Sequence, residues 1–330
     1  MTRNSHRCFV VVLIFLSLLL TGSSLWIGIT ILINLLKKTQ IVIPLAVGQI
    51  DVPSGSSLKH YYSFTSEKEL IYRIPWSDEY KKNTTNKDGL VDRFDYETAK
   101  PARSFRIISL GDSFTQGIMV ETEESYPERL EEFLRYEDFP WTRQVEVLNF
   151  GVGGYDIEYS VNKLRVQGIK YNPDLLIWLV KFDDFFLINE KMIQARGSFQ
   201  EELESAGIQL ENGKLANFYG VIDRVGELYA RSYNAKSLLN YQINKLAKVR
   251  TFYHKKILFL YFENEHPLII DILNSLRKND ENIAVLALPS DISRFPDGHP
   301  NANGYEKIAN VLVPNVSAII RHHDNMITLP

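Results

Sequence analysis

Short apolar runs alternate with amphipathic stretches over most of the second two thirds of the chain. The apolar runs are six or seven residues long and are bounded by turn residues, as the buried strands of a parallel sheet are. They lie at 105–110, 145–150, 175–180, 256–262 and 283–288. Between them, apolar residues recur every three or four positions, the helical period, at 125–136, 156–166 and 266–278. The alternation predicts an α/β domain with a parallel sheet covered by helices on both faces.

Two of the predicted helices carry recognisable start signals. Ser125 with Glu128 three residues later matches a capping box, in which the serine and glutamate side chains satisfy each other's backbone N–H groups. Asp156 precedes the next amphipathic stretch and is a favourable N-cap residue. Gly111 permits a tight turn from the first strand into a helix.

A separate hydrophobic segment occupies the N-terminus. Residues 8–36 contain no charged side chain, and Arg3 and Arg7 precede them. At about 1.5 Å per residue this run crosses a hydrocarbon core of about 30 Å. A cleaved signal peptide is the alternative, but the run continues beyond the small residues at 21–24 where cleavage is expected. We therefore predict an uncleaved transmembrane signal anchor, with the large domain on the extracytoplasmic side.

The same patterns divide the chain into three parts. Residues 1–38 form the predicted anchor, and residues 39–100, with strand-like and polar stretches, read as a stalk or accessory segment. Residues 101–330 hold the α/β domain, which a polar insertion interrupts at about 186–250.

Composition narrows the classes of function. Hydrophobic residues make up 45% and charged residues 23% of the 330 residues, which is typical of a globular protein. The net charge is −3, and four basic residues precede the first acidic residue, Asp51, so the remainder is more acidic still. Such a surface is unsuited to binding nucleic acid. Cys8 is the only cysteine, which excludes an intrachain disulfide and a zinc cluster of thiolates, and we expect neither metal nor cofactor.

Polar residues follow the predicted strands where each strand ends. Gly111-Asp112-Ser113 follows the first strand, a glycine loop at 151–154 follows the second, and Lys181 to Asp184 follows the third. Asp297 and His299 follow the last. Since the carboxyl ends of parallel strands share one edge of the sheet, we expect these groups to meet there.

This set of residues suits acyl transfer. A serine hydroxyl is a weak nucleophile until a base takes its proton, and His299 can be that base for Ser113. Asp297 can hold the imidazole tautomer and stabilise its charged form. The backbone N–H groups of Ser113, at a helix start, and of Gly154 can stabilise a developing oxyanion. We expect Asp112, Lys181 and Asp184 to contribute to binding.

Three motifs resemble the SGNH/GDSL hydrolase family, and the stretch at 87–113 resembles the lead-in of its membrane-associated members. The three motifs are RIISLGDSFTQG at 106–117, VLNFGVGGYD at 147–156 and FPDGHPNANGYEKIA at 295–309. The resemblance covers about residues 86–310. It implies a flavodoxin-like three-layer α/β/α domain and metal-free ester hydrolysis, with Ser113 as nucleophile, His299 as base, Asp297 as supporting acid and Gly154 as backbone donor.

One motif departs from that family. An Asn-Asp pair usually follows the third strand, and its asparagine donates to the oxyanion; here the pair is Asp183-Asp184. An ionised Asp183 accepts hydrogen bonds only. Either Asp183 is protonated, or Lys181 or a backbone N–H replaces the missing donor, or the protein is slow or inactive.

The leading hypothesis is therefore an esterase or deacylase that acts on an acylated small molecule, glycan or lipid in the envelope or outside the cell. O-acyl transfer to a sugar hydroxyl is a variant that the sequence does not separate. A membrane-tethered, non-catalytic binding or assembly protein on the same fold is the alternative from another class, because fold does not fix function. A dinucleotide-binding enzyme is disfavoured, since the glycine run at 151–154 lacks the full G-x-G-x-x-G pattern.

Overall fold

The computed structural model describes residues 50–51, 58, 62–186, 210–211, 214–215 and 235–328. The apolar run at 8–36 lies outside these ranges, and so does most of the 186–250 insertion. Within the described ranges, no helix combines the length and the apolar character needed to cross a bilayer. The three-part division of the chain stays a prediction.

The five strands of the main sheet follow one another along the chain as the hydrophobic pattern predicts, whereas β4 lies in a stretch that is polar and turn-rich in sequence. The strands are β1 (Ile50–Asp51), β2 (Ser63–Phe64), β3 (Glu69–Arg73), β4 (Tyr80–Thr84), β5 (Ser104–Leu110), β6 (Gln144–Asn149), β7 (Leu175–Leu179), β8 (Leu210–Glu211), β9 (Lys214–Leu215), β10 (Lys256–Phe262) and β11 (Ile283–Leu288). The α-helices are α1 (Ser113–Gln116), α2 (Tyr126–Leu134), α3 (Ile157–Lys163), α4 (Phe182–Phe186), α5 (Ala235–Lys248), α6 (Pro267–Asn279) and α7 (Ala302–Thr328).

Five strands form one parallel sheet in the order β11-β10-β7-β5-β6. Counted along the chain within this sheet, the order is 2-1-3-4-5, the arrangement of flavodoxin-like folds. From β5 the chain adds β6 on one side, and it then adds β7, β10 and β11 on the other side. The topological switch point therefore lies between β5 and β7. In such folds, ligands bind at this point, outside the carboxyl ends of the strands.

Alternate residues of each strand contribute to two separate cores. One face packs on α2 and α7, through side chains such as Ile107 of β5 and Ile177 of β7. The other face packs on α3, α5 and α6, through side chains such as Ile108 and Trp178. The structure therefore confirms the predicted parallel sheet between two layers of helices.

Residues 80–100 form a lead-in segment before β5, and this segment contacts the sheet and its helices. Asn83 of β4 donates from Nδ2 to the carbonyls of Gly117 and Val120, at 3.2 and 3.0 Å. Farther along, Leu90 and Tyr96 are buried in the core on the α3 side of the sheet. This lead-in segment thus contributes side chains and hydrogen bonds to the domain.

Both predicted helices begin where expected, but one of the two predicted caps is wrong. Ser125 is the N-cap of α2, but its side chain makes no capping hydrogen bond. Glu128 is instead bound by Arg93, whose Nε lies 2.5 Å from Glu128 Oε2, so the expected capping box does not form. Asp156 caps α3 as expected, and its Oδ1 accepts from the Tyr159 N–H at 2.8 Å.

The chain divides into two units. The first comprises residues 1–43 and 73–79, and only 73–79 is described; within it the Ile74 N–H donates to the Glu79 carbonyl at 2.9 Å. The second comprises residues 44–72 and 80–330 and contains the five-stranded sheet and the candidate active site.

Candidate active site

The turn after β5 places Ser113 at the first position of α1. Gly111 has a φ of +149°, which glycine tolerates and other residues rarely adopt. A Cβ there would lie 2.3 Å from Thr115 Oγ1, so close packing also requires glycine. Asp112 caps the helix, since its Oδ1 accepts from the Phe114 N–H at 2.9 Å. The N–H of a first-position residue has no partner within its helix and points out of the helix start.

Ser113, His299 and Asp297 form a continuous hydrogen-bonded chain. Ser113 Oγ lies 2.8 Å from His299 Nε2, and His299 Nδ1 lies 2.9 Å from Asp297 Oδ2. The Asp297 Oδ1 also accepts the His299 backbone N–H at 3.1 Å. Ser113 and His299 are both buried. The loops after β5 and β11, separated by 186 positions in sequence, therefore meet as the sequence predicts.

The surroundings of Asp297 favour its ionised form. Partial burial would raise the pKa of this carboxyl, but hydrogen bonds from the His299 ring and backbone outweigh burial and lower it. An ionised Asp297 fixes the proton on His299 Nδ1, which leaves Nε2 as the acceptor facing the Ser113 hydroxyl.

The glycine loop after β6 lies against the turn that carries Ser113. A Cβ built on Gly153 would lie 3.8 Å from Ser113 Cβ, so the backbone at Gly153 closely approaches the serine. The Gly153 N–H donates to Gln116 Oε1 at 2.8 Å. Gly154, the predicted oxyanion donor, has a φ of +78°, a left-handed conformation that favours glycine.

Lys181 is the centre of an ionic group beside the turn that carries Ser113. Its Nζ lies 2.8 Å from Asp112 Oδ2 and 3.0 Å from Asp183 Oδ2, and its backbone N–H donates to Asp184 Oδ2 at 2.8 Å. Burial would lower the pKa of Lys181, but the charges of the three aspartates outweigh it and raise the pKa well above its usual value. The ammonium is therefore charged and holds the turn after β7 to the cap of α1.

The two carboxyls of the Asp183-Asp184 pair have different environments. The Asp183 side chain is 47% exposed and accepts from Lys181 with both oxygens. Asp184 is buried, and burial together with the charges of Asp112 and Asp183 raises its pKa well above the usual value. Thus the carboxyl with the raised pKa is Asp184, while Asp183 is paired with an ammonium.

Three carboxyl groups, from Asp112, Asp183 and Asp184, come within 4.8 Å of one another, which is close enough for a metal site. However, the Lys181 ammonium lies within 3.0 Å of the first two. A lysine cation among these carboxylates supplies the compensating charge that a metal would otherwise bring. The donor set is therefore a poor fit for a divalent cation.

Aromatic and basic side chains pack around His299 and the loop that carries it. The Phe114 ring lies 4.7 Å from the His299 ring and 4.5 Å below Lys181 Nζ. The Arg294 guanidinium lies 4.0 Å from the Phe262 ring centroid and donates to the Gly298 carbonyl at 2.8 Å. These contacts fix the loop that carries Asp297 and His299.

The structure brings together most of the residues singled out from the sequence. Two further residues of the site were not predicted from the sequence. Gln116 of α1 binds the glycine loop, and Phe114 packs on the His299 imidazole. Gln116 stands three residues after Ser113, one helical turn away, and this spacing is the signal that identifies it. Tyr62 was not predicted either, and its hydroxyl donates to the Gly153 carbonyl at 2.7 Å. Tyr62 precedes Gly153 by 91 positions, so no local pattern connects the two.

No protein-family model matches the chain, and no curated protein matches it in sequence. Several solved structures are similar to it over about two thirds of its length. A two-domain esterase active on acetylated mannans is 14% identical, with a TM-score of 0.39, over 66% of this chain and 50% of its own. This chain thus spans about half the length of that protein.

Two further similar structures match over nearly their whole length. A family 3 carbohydrate esterase from Clostridium thermocellum is 16% identical, with a TM-score of 0.39, over 67% of this chain and 99% of its own. A protein from Desulfitobacterium hafniense described as belonging to the G-D-S-L lipolytic family is 14% identical, with a TM-score of 0.34, over 63% and 98%. The chain is similar to carbohydrate esterases and GDSL-type proteins, at a level of likeness that carries no argument about activity.

Proposed function

We propose that the chain is a serine hydrolase that cleaves the ester bonds of O-acyl groups, with Ser113 as the nucleophile. The single observation that supports this most is the hydrogen-bonded chain from Ser113 Oγ through His299 to Asp297, at 2.8 and 2.9 Å. Those distances are within hydrogen-bonding range for proton transfer from hydroxyl to imidazole. A serine whose hydroxyl is aligned with an oriented base has the arrangement that nucleophilic catalysis needs.

In the proposed reaction, His299 Nε2 takes the Ser113 proton as the oxygen attacks the acyl carbon. The Ser113–acyl bond forms, and the carbonyl oxygen becomes an oxyanion. Collapse of this intermediate breaks the bond to the alcohol, which receives the proton from the imidazolium. Water, activated by the same nitrogen, then releases the carboxylic acid and restores the serine. Asp297 stabilises the imidazolium in both halves of the reaction.

Two backbone donors stabilise the oxyanion in this proposal. The Ser113 N–H belongs to the first turn of α1, where the helix dipole adds a favourable field for an anion. The Gly154 N–H lies in the loop whose backbone passes close to Ser113 Cβ at Gly153. Donors fixed before the reaction cost no reorganisation when the charge develops.

Lys181 compensates for the acidic residue at position 183. The Asp183 carboxylate is bound by the Lys181 ammonium on the exposed side of the site. The ammonium offsets the negative charge that Asp183 would otherwise exert on an oxyanion. The sequence leaves three possibilities open. This geometry favours the one in which Lys181 takes the place of the missing asparagine donor over the one in which Asp183 is protonated.

The proposed substrate class is an O-acylated glycan or lipid in the envelope or outside the cell. It follows from the motif resemblance and from the predicted N-terminal anchor, which would hold the domain at the extracytoplasmic face of a membrane. Transfer of the acyl group to a sugar hydroxyl uses the same acyl-enzyme, so both outcomes belong to this proposal.

A non-catalytic binding protein is the second candidate. It is favoured by the Lys181–Asp183 pair, which stands where the resembling family has an asparagine donor. Loss of one such donor lowers the rate of related reactions by about a hundred- to a thousandfold. In this candidate the aligned serine binds a ligand and no covalent intermediate forms.

Hydrolysis of aryl and sugar acetates by the full-length chain in detergent tests the proposal. Wild type should release acetate, while Ser113→Ala and His299→Ala should reduce the rate at least about a thousandfold. Ser104→Ala, at the opposite end of β5, is the matched control and should retain the wild-type rate. Equal rates in wild type and Ser113→Ala would favour the binding protein instead.

A further inference from the structure

A strap formed by residues 62–64 binds the glycine loop of the site. The Tyr62 hydroxyl donates to the Gly153 carbonyl at 2.7 Å. The peptide unit that begins with this carbonyl ends with the N–H of Gly154. A hydrogen bond at one end of this peptide therefore acts on the proposed oxyanion donor at the other end.

The planarity of the peptide bond makes this connection rigid. In a trans peptide the C=O and N–H bonds lie in one plane and point in opposite directions, and no cis peptide occurs among the described residues. Since the Gly153 carbonyl points at the Tyr62 hydroxyl, the Gly154 N–H points away from Tyr62. Rotation of this peptide would break the bond to Tyr62.

The preceding peptide is fixed from the other side of the loop. The Gly153 N–H donates to Gln116 Oε1 at 2.8 Å, while Gln116 Nε2 donates to the Tyr72 hydroxyl at 2.7 Å and to Asn83 Oδ1 at 3.1 Å. Gln116 itself belongs to the nucleophile helix. Gly153 is thus held at its N–H by the helix that carries Ser113 and at its carbonyl by the strap. Glycine has no side chain to restrain its backbone, so such external bonds determine the loop conformation.

The strap has its own anchors, which allow Tyr62 to act as a fixed point. The Tyr62 ring packs edge to face on Tyr155 at 5.3 Å and on Tyr159 at 5.8 Å. The Tyr155 hydroxyl donates to the Tyr62 carbonyl. Lys163 Nζ, fully buried, lies 3.1 Å from the Ser63 hydroxyl. Three side chains from α3 and the turn before it therefore hold the strap.

We propose that Tyr62 is a positioning residue for catalysis: its hydroxyl orients the 153–154 peptide so that the Gly154 N–H is directed at the oxyanion. The inference rests on the proposed esterase function and adds to it a residue from outside the three sequence motifs. The hydrogen bond also draws electron density toward the Gly153 carbonyl oxygen, which makes the Gly154 N–H a stronger donor.

Tyr62→Phe tests the proposal, because it removes the hydroxyl and keeps the ring between Tyr155 and Tyr159. With an aryl acetate as substrate, kcat should fall about ten- to a hundredfold, somewhat less than for outright loss of a donor, and KM should change less than threefold. The inhibition constant of a trifluoromethyl ketone, which forms a tetrahedral oxyanion adduct on serine, should rise by the same factor as kcat falls.

Tyr253→Phe is the matched control, since the Tyr253 hydroxyl donates to the Lys256 carbonyl at 3.1 Å, at the amino end of β10. It should leave kcat, KM and ketone inhibition at the wild-type values. Equal kcat in Tyr62→Phe and wild type, or a change in KM alone, would overturn the positioning role while leaving the esterase proposal intact. A wild-type chain that neither hydrolyses the ester nor binds the ketone would overturn the esterase proposal and this inference with it.

Discussion

The domain contains two groups of carboxyls, one at the site and one beside the lead-in segment, and they differ in the cations beside them. The site carboxyls, Asp112, Asp183, Asp184 and Asp297, surround the Lys181 ammonium or the His299 imidazole. The Lys181 side chain is only 15% exposed and binds two of them directly. Water screens such a buried cation weakly, so its charge is effective.

The lead-in cluster consists of Asp92, Glu128 and Glu131, between the lead-in segment, α2 and β6. Its cations are Arg93 and Arg135, whose side chains are 31% and 58% exposed. Burial raises the pKa of Glu131 to about 7, and burial with the neighbouring glutamates raises that of Asp92 well above its usual value.

The difference shows how one side-chain type serves two purposes. At the site, hydrogen bonds from His299 lower the pKa of Asp297, and the Lys181 ammonium pairs with Asp112 and Asp183 beside Ser113. In the lead-in cluster, burial raises the pKa values of Asp92 and Glu131, and the Tyr96 hydroxyl lies 3.0 Å from both Asp92 Oδ1 and Glu131 Oε2, to which it donates. The first arrangement suits catalysis, and the second joins the lead-in segment to the domain.

The largest expected effect comes from removing the charge beside His299. In Asp297→Asn, the amide no longer fixes the proton on His299 Nδ1, so kcat for ester hydrolysis should fall about a thousand- to ten thousandfold. Steady-state kinetics at pH 8 measure this. Asp291→Asn, in the same loop but exposed and paired with Lys307, should keep the wild-type kcat. Similar losses in both variants would mean that the loop tolerates no change, whatever the role of Asp297.

The next effect comes from removing the cation of the site. Lys181→Met leaves Asp112 and Asp183 without their ammonium, and the free energy of unfolding at pH 7 should fall by about 3–5 kcal/mol, as for a broken buried ion pair. Urea denaturation measures this. Lys170→Met, which removes a half-exposed partner of Asp88, should cost about 0–1 kcal/mol. Equal costs would show that Lys181 is screened like a surface lysine.

The lead-in cluster should make the free energy of unfolding fall as the pH rises. A carboxylate whose pKa is lowered by folding has the opposite effect. Because the folded pKa of Glu131 is raised to about 7, its contribution is fully present below about pH 4.5 and is lost as the pH rises toward 7. That shift corresponds to about 3 kcal/mol. Glu131→Gln should therefore flatten the wild-type loss of unfolding free energy between pH 5 and 7.5.

Urea denaturation at several pH values measures this difference. Asp92 and Glu128 also titrate in the cluster, and Arg93, Arg135 and Tyr96 face it, so part of the slope should persist in the variant. Glu132→Gln, on the same helix but 36% exposed, is the control and should keep the full wild-type slope. A wild-type slope of the opposite sign would contradict a raised pKa of Glu131 in the folded chain.

The smallest effect is expected for Asp183→Asn. The amide introduces a donor where an oxyanion can use one, and it removes a charge that Lys181 offsets only in part, so kcat should rise several-fold. Since the Asp183 side chain is 47% exposed, the unfolding free energy should change by no more than about 1 kcal/mol. A loss of activity in kinetic assays would mean that the Asp183 carboxylate has a positive role of its own.

The hydrophobic pattern predicts the sheet well because strands buried on both faces are nearly continuous apolar runs. The fourth and fifth predicted strands coincide with β10 (Lys256–Phe262) and β11 (Ile283–Leu288). The first and third differ from β5 and β7 by one residue at one end, and the second is shifted by one residue from β6. The capping box at Ser125 fails because Arg93, far away in sequence, binds Glu128 more strongly than the helix start does. Local patterns do not contain such tertiary competition.

The same limit applies to the site. The meeting of Ser113 with Asp297 and His299 was predictable because Ser113 follows the first strand of the sheet and the other two follow the last, and a parallel sheet gathers such strand ends at one edge. The ion pairs of Lys181 and the bond from Tyr62 to Gly153 depend on side-chain directions and on a segment outside the sheet. The strand pattern does not fix either one.

Labelling with a fluorophosphonate, followed by mass spectrometry of the peptides, tests most directly whether the His299 imidazole activates Ser113. The full-length wild-type chain should carry the phosphonyl group on Ser113, Ser113→Ala should carry none, and His299→Ala should react at least about a hundredfold more slowly. A folded wild-type chain that stays unmodified, or one that is modified equally fast without His299, would contradict the account.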